Sequence, residues 1–397
     1  MPPDDAGPNL AAPTSPACPA PTSPARPAST LGPLTYAGAG VDVEAGDRAV
    51  ELMKAAVRRA AGPNVIGGAG GFAGLFDARE LTRYRHPLLA SSTDGVGTKV
   101  AIAQALGVHH TIGLDLVAMV VDDLVVCGAK PLVMTDYIAM GRVVPDKVAA
   151  IVQGIGEGCV RTGTALVGGE TAEHPGLLGP DEYDVAGAAV GVVEADALLG
   201  PARVRPGDAI LGIAASGLHS NGYSLVRAIV ARAGWPLDRH IAEFGRALGE
   251  ELLEPTALYT RACLDLLGTM GSDVHAFAHV TGGGLAANLA RVLPKGCDAI
   301  VRRSAWTVPA VFAVLRDAGG VPWSDAERTW NLGVGMVAVV AGSAATDAAA
   351  RLAAAGHPTF EVGEVLPVGP SRSDAELVQG TKGVQGGRVA LTGAYRT

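Results

Sequence analysis

Three things are missing from this chain of 397 residues, and each absence removes a class of function. There is no stripe rich in Lys and Arg, and the formal charge is −8, so no surface is built to grip a nucleic-acid backbone. No uninterrupted apolar segment reaches the roughly 18 residues that a spanning helix requires, which argues against a membrane partner. The five cysteines (Cys18, Cys127, Cys159, Cys263 and Cys297) include no C-x-x-C pair and are odd in number. That pattern fits reduced thiols in a cytoplasmic protein. Aromatics are scarce as well, at 4%, against 54 glycines. Packing must therefore rely on small residues and close backbone approach, which suits layered α/β structure.

Punctuation along the chain divides it into four parts. Residues 1–34 are a Pro/Ala/Ser/Thr tract with too little apolar content to order itself. Residues 35–198 alternate strand and helix patterns, with a turn-rich junction from Glu194 to Asp208. Residues 199–369 resume the alternation, and Phe360 to Leu366 reads as the last strand. From Pro370 to 397 turn residues return, and a poorly ordered tail is expected. The fold class is α/β with mixed sheets covered by helices.

The chemistry concentrates where expected strands meet glycine. Leu88 to Ser92 reads as a strand running into Thr93-Asp-Gly-Val-Gly-Thr-Lys99, which has the composition of a tight loop holding a charged ligand. Gly67-Gly-Ala-Gly-Gly-Phe-Ala-Gly74 can bring bare amides to a ligand, or can be a surface loop. The expected helix from Gly113 to Cys127 is apolar on nearly all sides yet carries Asp115, Asp122 and Asp123. Such acids must open on a cleft, be paired, or bind a cation, and Mg²⁺ with phosphates completing its sphere would satisfy them. Gly168-Gly-Glu-Thr-Ala-Glu173 repeats the strand-to-glycine-and-acid layout. Ser216-Gly-Leu-His-Ser-Asn-Gly-Tyr223 forms a polar rim, with no G-x-S-x-G to support a hydrolase. Thr281-Gly-Gly-Gly284 enters a helix, as anion sites do.

Taken in order, Tyr36 to Asp42, the glycine loop, Thr93 to Lys99, Gly113 to Met119, Gly168 to Glu173, His219-Ser-Asn-Gly-Tyr-Ser224, Thr281 to Gly284 and Asn331-Leu-Gly-Val-Gly-Met336 resemble the phosphoribosylformylglycinamidine cyclo-ligases, the aminoimidazole ribonucleotide synthetases. The resemblance is collinear from Tyr36 to Leu366. It implies a two-domain ATP-binding fold, a homodimer whose N-terminal domains pair in a barrel, and ATP-dependent closure of the imidazole ring in purine biosynthesis. It further implies Asp94, Asp123 and Glu170 as metal ligands, with Asp115 and Asp122 in reserve. Lys54, Gly67, Gly68, Gly70, Gly71, Phe72, Thr98 and Lys99 would meet ATP. Gly169, Thr171, His219, Ser220, Asn221, Thr281, Gly282 and Gly283 would meet the ribonucleotide, and Asp94, Lys99 and His219 would be catalytic. Thiamine-monophosphate kinase and the hydrogenase maturation protein share this glycine and carboxylate logic. Selenophosphate synthetase would want a cysteine near the glycine loop, where none stands. A non-catalytic nucleotide-binding scaffold would have lost Asp94, Lys99 or Glu170.

Overall fold

The computed structural model describes residues 34–67, 71–369, 377–380 and 386–397. The tail expected over 1–34 lies, Leu34 apart, outside the described residues, as do Gly68 and Gly70. Helix α1 (Val43–Ala61) starts at Asp42, whose carboxylate accepts the Ala45 N–H at 3.0 Å and so caps the first turn. Strands β1 (Val65–Ile66) and β2 (Leu75–Phe76) pair antiparallel on either side of the glycine loop.

The first sheet contains β3 (Pro87–Gly95), β4 (Lys130–Met140), β5 (Ala165–Glu173) and β6 (Tyr183–Glu194), in the order β3-β6-β4-β5. Only β4 and β5 run parallel. Helix α2 (Val100–Leu106) follows β3, and α1, α3 (His110–Val125) and α4 (Pro145–Thr162) share one apolar core with the sheet. On the opposite face Leu89, Ser91 and Thr93 of β3 are exposed, as their alternation with Leu88, Ala90 and Ser92 dictates.

Two segments expected to be loops are strand. Thr93-Asp94-Gly95 continues β3 opposite Ala186 to Ala188, and Gly168 to Glu173 continues β5 opposite Thr135 to Met140. Their glycines mark close approach between neighbours. A Cβ on Gly187 would lie 2.7 Å from Met134 Cε, and one on Gly169 only 2.4 Å from Asp136 Oδ1. The turn itself begins at Val96, with Gly97 at φ +70°.

The second sheet has seven strands: β7 (Ala209–Ala214), β10 (Val274–His279), β11 (Cys297–Arg302), β12 (Val334–Val340), β13 (Thr359–Pro367), β14 (Leu377–Gln379) and β15 (Arg388–Thr392), with β8 (His240–Ile241) and β9 (Arg246–Ala247) forming a separate hairpin. The order is β10-β12-β7-β13-β11-β15-β14, and apolar clusters lie on both faces. The expectation that order ends near Pro370 fails at β14 and β15. Strand β15 adds in parallel to β11, buries Val389 and Leu391, and ties Arg388 to Asp298 through two bonds of 2.7 Å. A five-residue strand shows too little alternation to stand out among turn residues; the open edge of β11 recruits it.

Candidate active site

Helix α3 sorts its three acids by exposure. Every residue of the helix is buried except His110 and Asp123. Asp115 accepts the Lys99 ammonium at 2.8 Å and both the N–H and the hydroxyl of Thr256 at 2.7 Å. Seven residues on, Asp122 accepts the N–H of Tyr259, at 3.1 Å, and the N–H and hydroxyl of Thr260, at 2.8 and 2.6 Å. Thr260 opens the Thr260–Met270 helix, so Asp122 satisfies its unpaired first-turn amides from outside. The two acids therefore latch the segment 256–260 onto α3. The oxygens of these two reserve metal ligands accept these bonds or lie sealed from solvent.

Lys99 is placed in the same buried network. Its side chain is 0% exposed, its ammonium bonds Asp115 and the Glu254 carbonyl, and burial pulls its pKa below the usual lysine range. Its neighbour Thr98 is exposed, with Oγ1 3.2 Å from Ser224 Oγ.

What opens on solvent beside α3 is an acid–imidazole group. The Asp123 side chain is 44% exposed, and its Oδ1 lies 2.8 Å from His279 Nδ1. Asp94, half-buried at the end of β3, has its carboxyl pKa raised by burial and then by the charge of Asp123. Burial works against the charged form of His279, but the hydrogen bond to Asp123 and the charges of Asp123, Asp122 and Asp94 outweigh it, so its pKa is raised. His279 Nε2 is buried with no partner among the described residues. His279 was missed in the sequence because a histidine ending an apolar strand reads as core; its place two residues before Thr281 was the available signal.

The motif residues of the second half gather nearby. His219 is buried and holds φ +60°, a strained value for a side chain of its size. Its Nε2 accepts the Ser216 N–H at 3.2 Å, which puts the ring proton on Nδ1, and Nδ1 has no partner among the described residues. Burial first, then His279 and Lys99, hold its pKa well below the usual histidine value, so the ring is neutral. Ser220 Oγ lies 3.1 Å from Thr256 Oγ1. Asn221 Oδ1 would lie 3.8 Å from a Cβ on Gly282, bringing the His219 motif against the Thr281–Gly283 turn that leads into the Gly284–Arg291 helix.

A second cavity, of about 610 Å³, lies between α1, the segment Gly71 to Gly74, and strands β4 and β5. It gathers Gly71, Phe72, Gly169, Glu170 and Thr171, and adds Asp136 of β4, which no sequence motif marks. Lys54 is exposed on α1 and pairs with Glu51. Glu170 does not join Asp94 and Asp123. Asp94, Gly187, Asp136 and Gly169 form one row across the sheet, and three strand spacings set Gly169 about 14 Å from Asp94. Among the described residues no three acids, histidines or cysteines cluster as a metal cage.

The AIR synthase related protein N-terminal domain matches residues 80–193, and the C-terminal domain of the same family matches residues 205–374. The chain is 48% identical over 334 residues to phosphoribosylformylglycinamidine cyclo-ligase from Xanthomonas oryzae pv. oryzae strain PXO99A, covering 84% of this chain and 97% of the relative. It is 43% identical over 346 residues to the cyclo-ligase of Citrifermentans bemidjiense, covering 87% of this chain and 99% of that one. Among solved structures, thiamine-monophosphate kinase from Stenotrophomonas maltophilia K279a matches in fold with a TM-score of 0.60 at 18% identity, covering 86% of this chain and 95% of that one. The hydrogenase maturation protein HypE in complex with ATP matches with a TM-score of 0.57 at 20% identity, covering 88% and 95%. Identity near one half over almost the full length of the named relatives, together with both domains in order, establishes that the chain belongs to the phosphoribosylformylglycinamidine cyclo-ligase family.

Proposed function

We propose that this protein closes the imidazole ring of purine biosynthesis, converting formylglycinamidine ribonucleotide and ATP into aminoimidazole ribonucleotide, ADP and phosphate. The formyl amide oxygen is a poor leaving group. Its phosphorylation by the γ-phosphate of ATP forms an iminophosphate, the amidine nitrogen attacks the activated carbon, and the C–O bond breaks to release phosphate. Such chemistry asks a protein to position reactants and to neutralise phosphate charge, not to supply a nucleophile. The observation that carries this reading is that Asp123, alone among the acids of α3, reaches solvent, beside Asp94 and the two buried histidines.

Asp94 and Asp123 suit Mg²⁺, an ion held by one or two carboxylates with substrate phosphates and water filling the remaining positions. When bound, it offsets the charge of the transferring phosphoryl group. Gly71, Phe72 and the cavity beside them take the ATP base, with Lys54 of α1 and Gly67 close by in sequence, while Thr98, beside Ser224 beyond the end of β3, meets the phosphates at the Asp94 end. His219, Ser220, Asn221 and the turn Thr281, Gly282, Gly283 hold the ribonucleotide. The neutral His219, with its proton on Nδ1, donates a hydrogen bond to it. Gly169, Glu170 and Thr171 line the same cavity. The exposed face of the first sheet, with Leu89 66% and Tyr137 41% exposed beside the small Ser91 and Thr93, supports a homodimer paired through this sheet. The free cysteines among the described residues support a cytoplasmic reading.

The test is to incubate the protein with formylglycinamidine ribonucleotide, ATP and Mg²⁺ and to measure aminoimidazole ribonucleotide and ADP. Equimolar formation of both is expected. No product from folded protein contradicts the proposal.

A further inference from the structure

The cavity of about 610 Å³ contains a carboxylate that the reaction does not use. Asp136 sits on β4 in the row of Gly187 and Gly169, and its walls include the apolar side chains of Met53, Val57, Val152 and Leu166. No described residue donates a hydrogen bond to Asp136 or pairs with its charge; burial is the whole cause of a pKa pushed up to about 7. An acid facing an apolar slot without a protein partner is costly, even where solvent reaches part of it. Gly169 is directly opposite, where any side chain would displace the carboxyl: a Cβ there would lie 2.4 Å from Oδ1. The backbone thus keeps a path to this group open.

What could fill the slot is limited by its chemistry. A phosphate would be repelled by the acid. A flat heteroaromatic ring suits the apolar walls, and a ring bearing an amino group next to a ring nitrogen matches a carboxyl group, which can accept from the one and, when protonated, donate to the other. We infer that Asp136 reads the amino-bearing edge of the adenine base, so that ATP is held more tightly than a purine nucleotide lacking the amino group. This rests on the reading of the protein as an ATP user, and it assigns the base to the α1 side of the sheet, about 10 Å along the row from Asp94 at two strand spacings. Asp136 contacts the nucleotide away from the reacting atoms, so it sets specificity and leaves the chemical step to the other half of the site.

The experiment compares calorimetric binding of ATP with that of purine riboside triphosphate, which lacks the amino group, to wild type, Asp136→Ala and Asp136→Asn, without the ribonucleotide. Wild type should bind ATP about tenfold or more tighter than the purine riboside analogue, the scale of a good two-point base contact. Asp136→Ala should bind both equally weakly. Asp136→Asn, whose amide offers the same acceptor and donor, should keep most of the preference. A wild type indifferent to the amino group overturns the inference without any variant, which covers the case of an Ala variant that does not fold. Preference undiminished in a folded Asp136→Ala overturns it too. Failure of wild type to bind either nucleotide would remove the ATP reading itself and the inference with it.

Discussion

Asp123 Oδ1 stands 2.8 Å from His279 Nδ1, so the one acid of α3 that reaches the open site is held by the last residue of a strand in the other sheet. The bond crosses between the two halves of the molecule, and it fixes a carboxylate whose free rotation would blur any metal position. Removing it in His279→Ala should raise the Mg²⁺ concentration for half-maximal turnover by about 10- to 100-fold, the usual scale for loss of a ligand-orienting partner. His279→Asn, which can still donate to Asp123, should recover most of the loss. A Mg²⁺ titration of each variant checks this, and an unchanged midpoint in His279→Ala would remove the positioning role.

Lys99 and Asp115 act on stability. Each is sealed from solvent, so removing one leaves the other buried and unpaired. Asp115→Leu or Lys99→Met alone should cost about 3–5 kcal/mol, whereas the double replacement Lys99→Met with Asp115→Leu should cost less than the sum of the singles. Urea unfolding of the four proteins measures the cycle. Strict additivity would show that the pair is not coupled.

Asp122 predicts a pH dependence of opposite sign to that of an ordinary ion-paired acid. Burial pushes its carboxyl up to about 6 from 3.8, ahead of the lowering effects of His279 and of the bonds to Thr260 and Tyr259. Between those values the folded chain keeps a proton that the unfolded chain has released. Stability from this group therefore grows as pH falls from about 6 toward 3.8 and is absent at higher pH. Asp122→Asn should lose that component while remaining folded at pH 8, because an amide oxygen still accepts the Thr260 N–H. Denaturant midpoints from pH 4.5 to 8, a range set by those two pKa values, compare the two proteins.

Gly335 guards His219. A Cβ there would sit 2.1 Å from Tyr259 Oη and 2.3 Å from His219 Cε1, and both rings are buried. Gly335→Ala should cost about 1–3 kcal/mol of stability through overpacking. It should also raise KM for the ribonucleotide more than KM for ATP, because the displaced ring belongs to the ribonucleotide end. Equal effects on both KM values would count against that division.

The sequence made the layered fold legible because long apolar periodic segments, α3 above all, leave few alternatives. It also displayed most of the motifs, and with them the family. It could not show which of Asp115, Asp122 and Asp123 faces water, since all three lie on a helix apolar nearly all round and the choice is made by Thr256, Tyr259 and Thr260, more than 130 residues away. Lys99 looked like a phosphate cation for the same reason: its partner comes from the fold. Asp136 sits on a strand where nothing local distinguishes a ligand from a core polar residue, and His279, ending an apolar strand, is marked only by its place before Thr281. Glycines 95, 168 and 169 have the composition of loops yet continue strands, with Gly95 and Gly169 pressed against neighbouring strands.

The most direct measurement of the central claim follows the formyl oxygen. Formylglycinamidine ribonucleotide labelled with ¹⁸O at that position should transfer its label to the released phosphate, one atom for each ring closed, because the oxygen leaves bound to phosphorus. Label appearing in water, with unlabelled phosphate, would contradict phosphorylation of the amide oxygen and with it the account of what the site is built to do.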